Sequence, residues 1–326
     1  MKRENTVGRA NVEDTPALDA YYRELEQQDL GALWNVANDI EPWYPQPKSV
    51  PMLWKWRDIG PLVRKAPDLV SAEKAARRVV MLVNPGRKEW SAAAGLLYTG
   101  VQIMNPGEFT SAHRHQASAL RFMMEGKGAY TVVDGERMEL GARDFVLTPN
   151  GTWHDHGVDA DGTQCVWQDG LDIPLMNSLD ANFYEVHPQT VQTPSPLSRE
   201  NWNRPYSPVF LYKWEDSFKT LRKNGFFEYL NPLTGGPVMP TMGAKLELIK
   251  NSAKQIRHTG SVIYQVVSGH GWSEVGSQRF EWEEKDIFCI PSWTPYRHGA
   301  GGEAVLFSFN DFPAMKALGL YRESHD

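Results

Sequence analysis

The chain has 326 residues, room for one large domain or two of ordinary size, with 41% hydrophobic residues, 23% charged residues and a net charge of −6. That balance suits a soluble globular protein and argues against a nucleic-acid backbone as partner, although one local arginine can still hold a small anion. No apolar run approaches bilayer length and the N-terminal stretch is polar and acidic, so no membrane segment or signal peptide is expected and the cytoplasm is the default.

Residues 1–94 read as an N-terminal helical and proline-rich extension. "TPALDAYYRELEQQDLGALWNVANDI" has helical spacing, with Asp14 or Thr15 able to cap and Pro16 early in the helix. "EPWYPQPKSVPMLWKW" is too rich in proline to be regular, and "SAEKAARRVVMLVNPG" reads as a short helix running towards a strand. From about Gly95 the pattern becomes strand, turn, strand, and "VVDGERM" is a hairpin signal, Asp-Gly between apolar runs. The 12 Trp, 12 Tyr and 13 Phe, with 22 Pro and 27 Gly, fit many short strands joined by punctuated turns. Residues 95–186 are expected to form one β domain, 187–240 a proline-rich wrapping linker, and 241–326 a second β domain. Cys165 and Cys289 lie in apolar strand-like runs and read as buried, reduced thiols.

The chain has 9 histidines, and four of them form two matching pairs, His113 with His115 and His154 with His156. Residues of one parity share a face of a strand, so three imidazoles converge on one ion if the two strands are neighbours. Imidazole suits iron, zinc, copper or nickel. The two β regions also repeat. "EGKGAYTVVDGERMELGARDFVLTPNGTWHDHG" lies over "SGHGWSEVGSQRFEWEEKDIFCIPSWTPYRHG" almost without gaps. Ile256 then replaces His113 and Tyr296 replaces His154, while His258, His298 and Tyr264 stand opposite His115, His156 and Arg121. Only the first copy keeps the full set of nitrogen ligands, and the second is expected to hold no metal. His187, His270 and His325 carry no argument.

Gly107, His113-x-His115, Gly126 and the later Pro149-x-Gly151-x-x-His154 resemble the two cupin motifs. The resemblance implies a mainly β bicupin, two double-stranded β-helix jelly-roll barrels behind the helical extension. It departs from the usual first motif, whose glutamate is replaced here by Ala119 or Leu120. A site of three histidines leaves about half of an octahedral ion's positions open, which suits an anionic bidentate ligand together with O₂.

Nearly the whole chain, from "LWNVANDIEPWYPQPKSVPMLWKW" through "AARRVVMLVNPG", "GVQIMNPGE" and "WQDGLDIPLMN" to the second repeat, resembles the gentisate 1,2-dioxygenase family, which includes salicylate and 1-hydroxy-2-naphthoate dioxygenases. The resemblance implies a cofactor, Fe(II), on His113, His115 and His154, with Arg121 pairing the substrate carboxylate and His156 carrying a proton or donating to the ring oxygens. It places Gln102, Asp169 and one arginine of "ARRVV", Arg77 or Arg78, about the pocket. Tyr98, Gln102 and Met104 alternate along a strand and are expected in its wall. The implied reaction opens the C1–C2 bond of gentisate or a related 2-hydroxybenzoate with O₂, yielding maleylpyruvate from gentisate, as a step in aromatic catabolism. The family resemblance also implies a homotetramer. Two other readings stand beside this one: a non-catalytic metal-binding cupin that senses a small aromatic acid, and a three-histidine zinc enzyme.

Overall fold

A computed structural model of the chain describes residues 10–195 and 206–325. The chain divides into two compact units, Met1–Gln46 and Pro47–Asp326. In the first, Thr15 caps α1 (Pro16–Glu26) by accepting the Leu18 N–H at 3.2 Å. Asp29 then adopts φ 55°, which ends the helix before α2 (Leu33–Ile40). The helical stretch expected here is therefore two helices, and Leu33, Trp34, Val36 and Ile40 remain exposed on the second.

The second unit opens with β1 (Met52–Trp54), α3 (Trp56–Leu69), α4 (Ala72–Ala75) and β2 (Val79–Met81). The first barrel follows as β3 (Tyr98–Met104), β4 (His113–His115), β5 (Ala119–Glu125), β6 (Ala129–Val133), β7 (Glu136–Leu140), β8 (Phe145–Thr148), β9 (His154–Val158) and β10 (Cys165–Leu171). Helix α5 (Ile173–Ser178), β11 (Tyr184–Val186), β12 (Leu211–Tyr212), α6 (Trp214–Asn224) and β13 (Phe226–Tyr229) lead to the second barrel. That barrel comprises β14 (Gly243–Ile249), β15 (Ile256–His258), β16 (Val262–Ser268), β17 (His270–Val275), β18 (Gln278–Glu283), β19 (Ile287–Ile290), β20 (Tyr296–Gly299) and β21 (Ala304–Asn310). Helix α7 (Phe312–Ala317) and β22 (Glu323–His325) close the chain.

Each barrel is a six-stranded sheet facing a five-stranded one. The orders are β12-β8-β5-β10-β3-β2 with β11-β4-β9-β6-β7, and β1-β19-β16-β21-β14-β13 with β22-β15-β20-β17-β18. These orders are the same device twice. Both long sheets also shift register at one place, Val166/Trp167 in the first and Val266/Ser268 in the second. The expected hairpin joins β6 to β7 through Asp134 and Gly135, whose φ of 47° and 85° are those of a two-residue type I′ turn.

The borders differ from those read in the sequence, for a physical reason. Isolated edge strands invite mispairing, and the chain covers them with its own flanking segments. β1 pairs with β19 of the second barrel and β2 with β3 of the first, so residues 47–94 complete the sheets and are not an extension. The linker expected over 187–240 likewise supplies β12 to the first barrel and β13 to the second. Its residues 196–205 lie outside the described residues.

The two long sheets pack back to back. Residues of one parity on β5, Ala119 and Arg121, face the first barrel's interior. Phe122, of the other parity, stacks on Phe307 of β21 with ring centroids 4.2 Å apart, and both rings are fully buried. This explains why the central strands read as continuous apolar runs: both of their faces are covered. Both cysteines are free and buried, and burial raises both thiols, Cys165 to about 11 and Cys289 to about 12.

Candidate metal centre and substrate cavity

Strand β4 pairs with β9 so that His113 lies directly opposite His154. His115, two residues on, shares the face of His113. Each ring is fixed by its own backbone. The Nδ1–H of His113 donates to the Ser111 carbonyl at 2.7 Å, that of His115 to the Ala117 carbonyl at 2.7 Å, and that of His154 to the Thr152 carbonyl at 3.0 Å. With Nδ1 protonated, Nε2 carries a bare lone pair on all three rings, the tautomer a metal ligand needs. The possible ligand atoms lie within 4.8 Å of one another, and the His113 Nε2 is buried without a partner. Burial, helped by nearby cations, pulls His113 down to about 4 and His115 to about 3, and drives His154 well below its usual range. Three neutral, buried imidazoles with converging lone pairs fit a transition-metal ion.

His115 and His154 of the triad line a cavity of about 310 Å³ within the first barrel, at the lower end of the range for small-molecule sites. Arg121 lines it, with Nε donating to Asp169 Oδ1 at 2.8 Å and Nη1 to Thr131 Oγ1 at 3.0 Å. Its Cζ stands 5.2 Å over the Trp167 ring. Arg121 and Asp169 face each other across β5 and β10. Burial pushes the Asp169 carboxyl up, and the guanidinium opposes that shift. Gln102 and His156 come together on the cavity wall, their Nε2 atoms 3.1 Å apart, and the other His156 nitrogen lies 3.3 Å from Thr110 Oγ1. His156 is thus engaged at both nitrogens, unlike the other three. Tyr98 also lines the cavity, and burial and then Asp169 raise its phenol, so the hydroxyl stays protonated at neutral pH.

The two adjacent arginines part company here. Arg77 lines the cavity, its guanidinium 5.6 Å from the ring of Tyr184. Among the described residues no carboxylate lies within ion-pair distance of it. Arg78 turns away and is a correction to the residues expected about the pocket, because its guanidinium is held by both carboxylate oxygens of Glu108 and by the Val70 carbonyl. Met104 is a second correction: it lies in the hydrophobic core and not among the cavity residues.

Several contributors escaped the sequence reading. Tyr184 on β11 stacks on His113, with centroids 5.3 Å apart, and comes from a short edge strand with no sequence signal of its own. Val79, Met81, Leu171 and Ile173 form the apolar part of the wall. Val79 and Met81 alternate in "VVML", and Leu171 follows Asp169 at the same parity, so strand alternation could have found these three.

In the second barrel Ile256 pairs with Tyr296, as His113 does with His154 in the first. Each remaining histidine has one nitrogen engaged and the other without a partner: His258 Nε2 lies 3.0 Å from the Tyr296 hydroxyl, and His298 Nδ1 lies 2.7 Å from Ser273 Oγ. Among the described residues, His113, His115 and His154 form the one group of three or more histidine, cysteine or carboxylate side chains close enough to share an ion.

The cupin-domain family profile matches residues 100–174. Over 94% of its length the chain is 36% identical to gentisate 1,2-dioxygenase 1 of Aquipseudomonas alcaligenes, covering 96% of that protein. Over 94% of its length it is also 34% identical to the 5-aminosalicylate 1,2-dioxygenase of Comamonas sp., covering 90% of that protein. Among solved structures, salicylate 1,2-dioxygenase from Pseudoaminobacter salicylatoxidans, an adduct with gentisate, superposes with a TM-score of 0.90 at 32% identity, over 97% of this chain and 96% of that one.

Proposed function

The chain belongs to the gentisate 1,2-dioxygenase family of bicupin ring-cleaving dioxygenases, and we propose that it binds Fe(II) on His113, His115 and His154 and opens the C1–C2 bond of gentisate or a related 2-hydroxybenzoate with O₂. The observation that carries this reading is the convergence of three bare imidazole nitrogens beside a cavity lined by His115 and His154 together with Arg77 and Arg121. Ferrous iron at such a triad supplies a redox-active centre with open positions, where a chelating phenol-carboxylate and O₂ can meet.

The remaining roles belong to the protein. Arg77 makes no ion pair among the described residues, so its guanidinium is free to receive a substrate carboxylate, although Asp169 lies near enough to feel its charge. Arg121, paired with Asp169, lies on β5 of the sheet that β2 borders and is the second donor. Val79, Met81, Leu171 and Ile173 enclose the aromatic ring and exclude water, which strengthens every charged contact within. His156, held between Thr110 and Gln102, accepts the Gln102 amide N–H at Nε2 and so carries its proton on Nδ1 beside Thr110; its Nε2 is the candidate to take a proton from a ring oxygen. The Tyr98 hydroxyl is a neutral donor for a substituent on the ring. A homotetramer belongs to the same proposal, and a mass of four chains in sedimentation would support it.

The test is O₂ uptake by protein loaded anaerobically with Fe(II), against gentisate, salicylate, 5-substituted salicylates and 1-hydroxy-2-naphthoate, beside a Zn(II)-loaded control. One O₂ consumed per ring, with iron alone, is the expected result. Ligand binding to the iron protein without uptake would make it a binding protein for aromatic acids. Turnover with zinc and no O₂ would make it a non-redox zinc enzyme.

A further inference from the structure

Arg77 and Arg78 are neighbours, yet one lines the cavity and the other is buried against Glu108. The backbone between α4 and β2 that divides them is not extended. The Arg77 N–H donates to the Ala75 carbonyl at 2.5 Å and the Val79 N–H to the Arg77 carbonyl at 3.1 Å, so two three-residue turns follow each other directly. At the first of these Ala76 has φ 54° and ψ −46°. That is close to the γ-turn in which an L residue is strained, and glycine would occupy it freely.

Strain of this kind persists only where the surroundings determine the backbone from both sides. On one side is a clamp. Arg78 holds both oxygens of Glu108 and reaches back to the Val70 carbonyl at 3.0 Å, and one Glu108 oxygen also accepts the Asn105 N–H at 2.7 Å. Burial alone would raise the Glu108 carboxyl, but Arg78 and the backbone N–H outweigh it and hold the group below the ordinary carboxylate range. The clamp is therefore charged at neutral pH. On the other side the ladder of β2 begins at once, with Val79 opposite Gln102. Ala76 lies inside the loop that the clamp closes between Val70 and Arg78, and its Cβ removes the alternative backbone conformations that glycine would keep.

We propose that Ala76 is a positioning residue: its strained turn, held by the Arg78–Glu108 clamp, aims the Arg77 guanidinium into the cavity to receive the substrate carboxylate. The identity of that anion rests on the function proposed above, whereas the turn and the clamp do not.

The experiment compares Ala76→Gly and Glu108→Gln, each alone and combined with Arg77→Ala, in the iron-loaded full chain. With gentisate and salicylate as probes, Ala76→Gly is expected to raise KM about three- to tenfold while kcat stays within about twofold. In the Arg77→Ala background it should add nothing further, since the guanidinium it positions is gone. Glu108→Gln should act in the same direction. An unchanged KM, or an equal rise in both backgrounds, overturns the proposal. Amide hydrogen exchange over residues 72–82 gives a second readout independent of substrate: exchange should quicken in Ala76→Gly and Glu108→Gln and stay as in the wild type in Arg77→Ala. If the wild-type protein neither binds nor turns over either probe, the functional reading fails, and exchange alone decides. Quickened exchange confined to this segment then supports the positioning turn, and unchanged exchange overturns it.

Discussion

His113, His115 and His154 each commit one ring nitrogen to a backbone carbonyl and keep the other bare, whereas both nitrogens of His156 have partners. This difference separates otherwise similar residues. His113→Ala and His154→Ala are expected to lose metal and ring-opening activity together, while His156→Ala keeps one metal per chain and loses turnover, as metal analysis beside O₂ uptake would reveal. A metal-free His156→Ala with a loaded His154→Ala would mean that the wrong member of the pair has been assigned. The two cavity arginines should also part. Arg121 and Asp169 are a buried pair, so Arg121→Ala strands a carboxylate and should destabilise the fold by about 3–5 kcal/mol as well as weakening substrate binding. Arg77→Ala, with no carboxylate to strand, should weaken binding with little change in the urea midpoint. The family resemblance implies that an arginine of "ARRVV" belongs to the cavity but not which one, because two successive tight turns reset the alternation from which facing is read.

At the scale of the element, the motif glycine that repeats in both barrels has a mechanical explanation. Gly126 and Gly269 end β5 and β16 at positive φ, 104° and 83°. A Cβ on Gly126 would come within 2.7 Å of the Cys165 Cα and the Gln164 carbonyl oxygen, and one on Gly269 within 2.6 Å of the Glu303 carbonyl oxygen. Backbone cannot yield as a flexible side chain can. Gly126→Ala should therefore cost about 2–4 kcal/mol, the left-handed penalty together with overpacking, measured by urea unfolding. A loss below about 0.5 kcal/mol would show that this turn relaxes. Such elements were legible in advance because their residues act locally: the Asp-Gly hairpin, the Thr15 cap, and the repeat that predicts Ile256 opposite Tyr296 where the first copy sets His113 opposite His154. What was not legible depends on partners distant in the chain. β1 and β11 are three-residue strands whose only reason to be extended is the sheet edge they cover, and α3 carries Pro61 and Pro67 inside it, which hide it from a reading by propensity.

At the scale of the molecule, the second barrel is a buttress for the first. The wall that carries Arg121 and Asp169 on its inner face carries Phe122 on its outer face, and Phe122 stacks on Phe307 of the second barrel. Phe307→Ala should cost about 3–5 kcal/mol and, through the shared sheet, loosen substrate binding although Phe307 does not line the cavity, which unfolding and gentisate titration would measure together. The second barrel should also contribute, beside the buried histidines of the first, to the loss of stability in acid. Burial first, and then the Lys245 charge, hold His258 at about 4, and burial holds His298 at about 4 despite Glu247, while neither ring is more than 4% exposed. Both folded values lie below the unfolded value of about 6.5, so between those limits the unfolded chain binds more protons and stability falls as pH falls. Each ring should withdraw about 3 kcal/mol between pH 7 and pH 4. In His298→Gln, whose amide can still accept from Ser273, urea midpoints measured across that range should decline less steeply than in the wild type. Parallel declines in the two proteins would mean that His298 takes up its proton in the folded barrel as readily as in water.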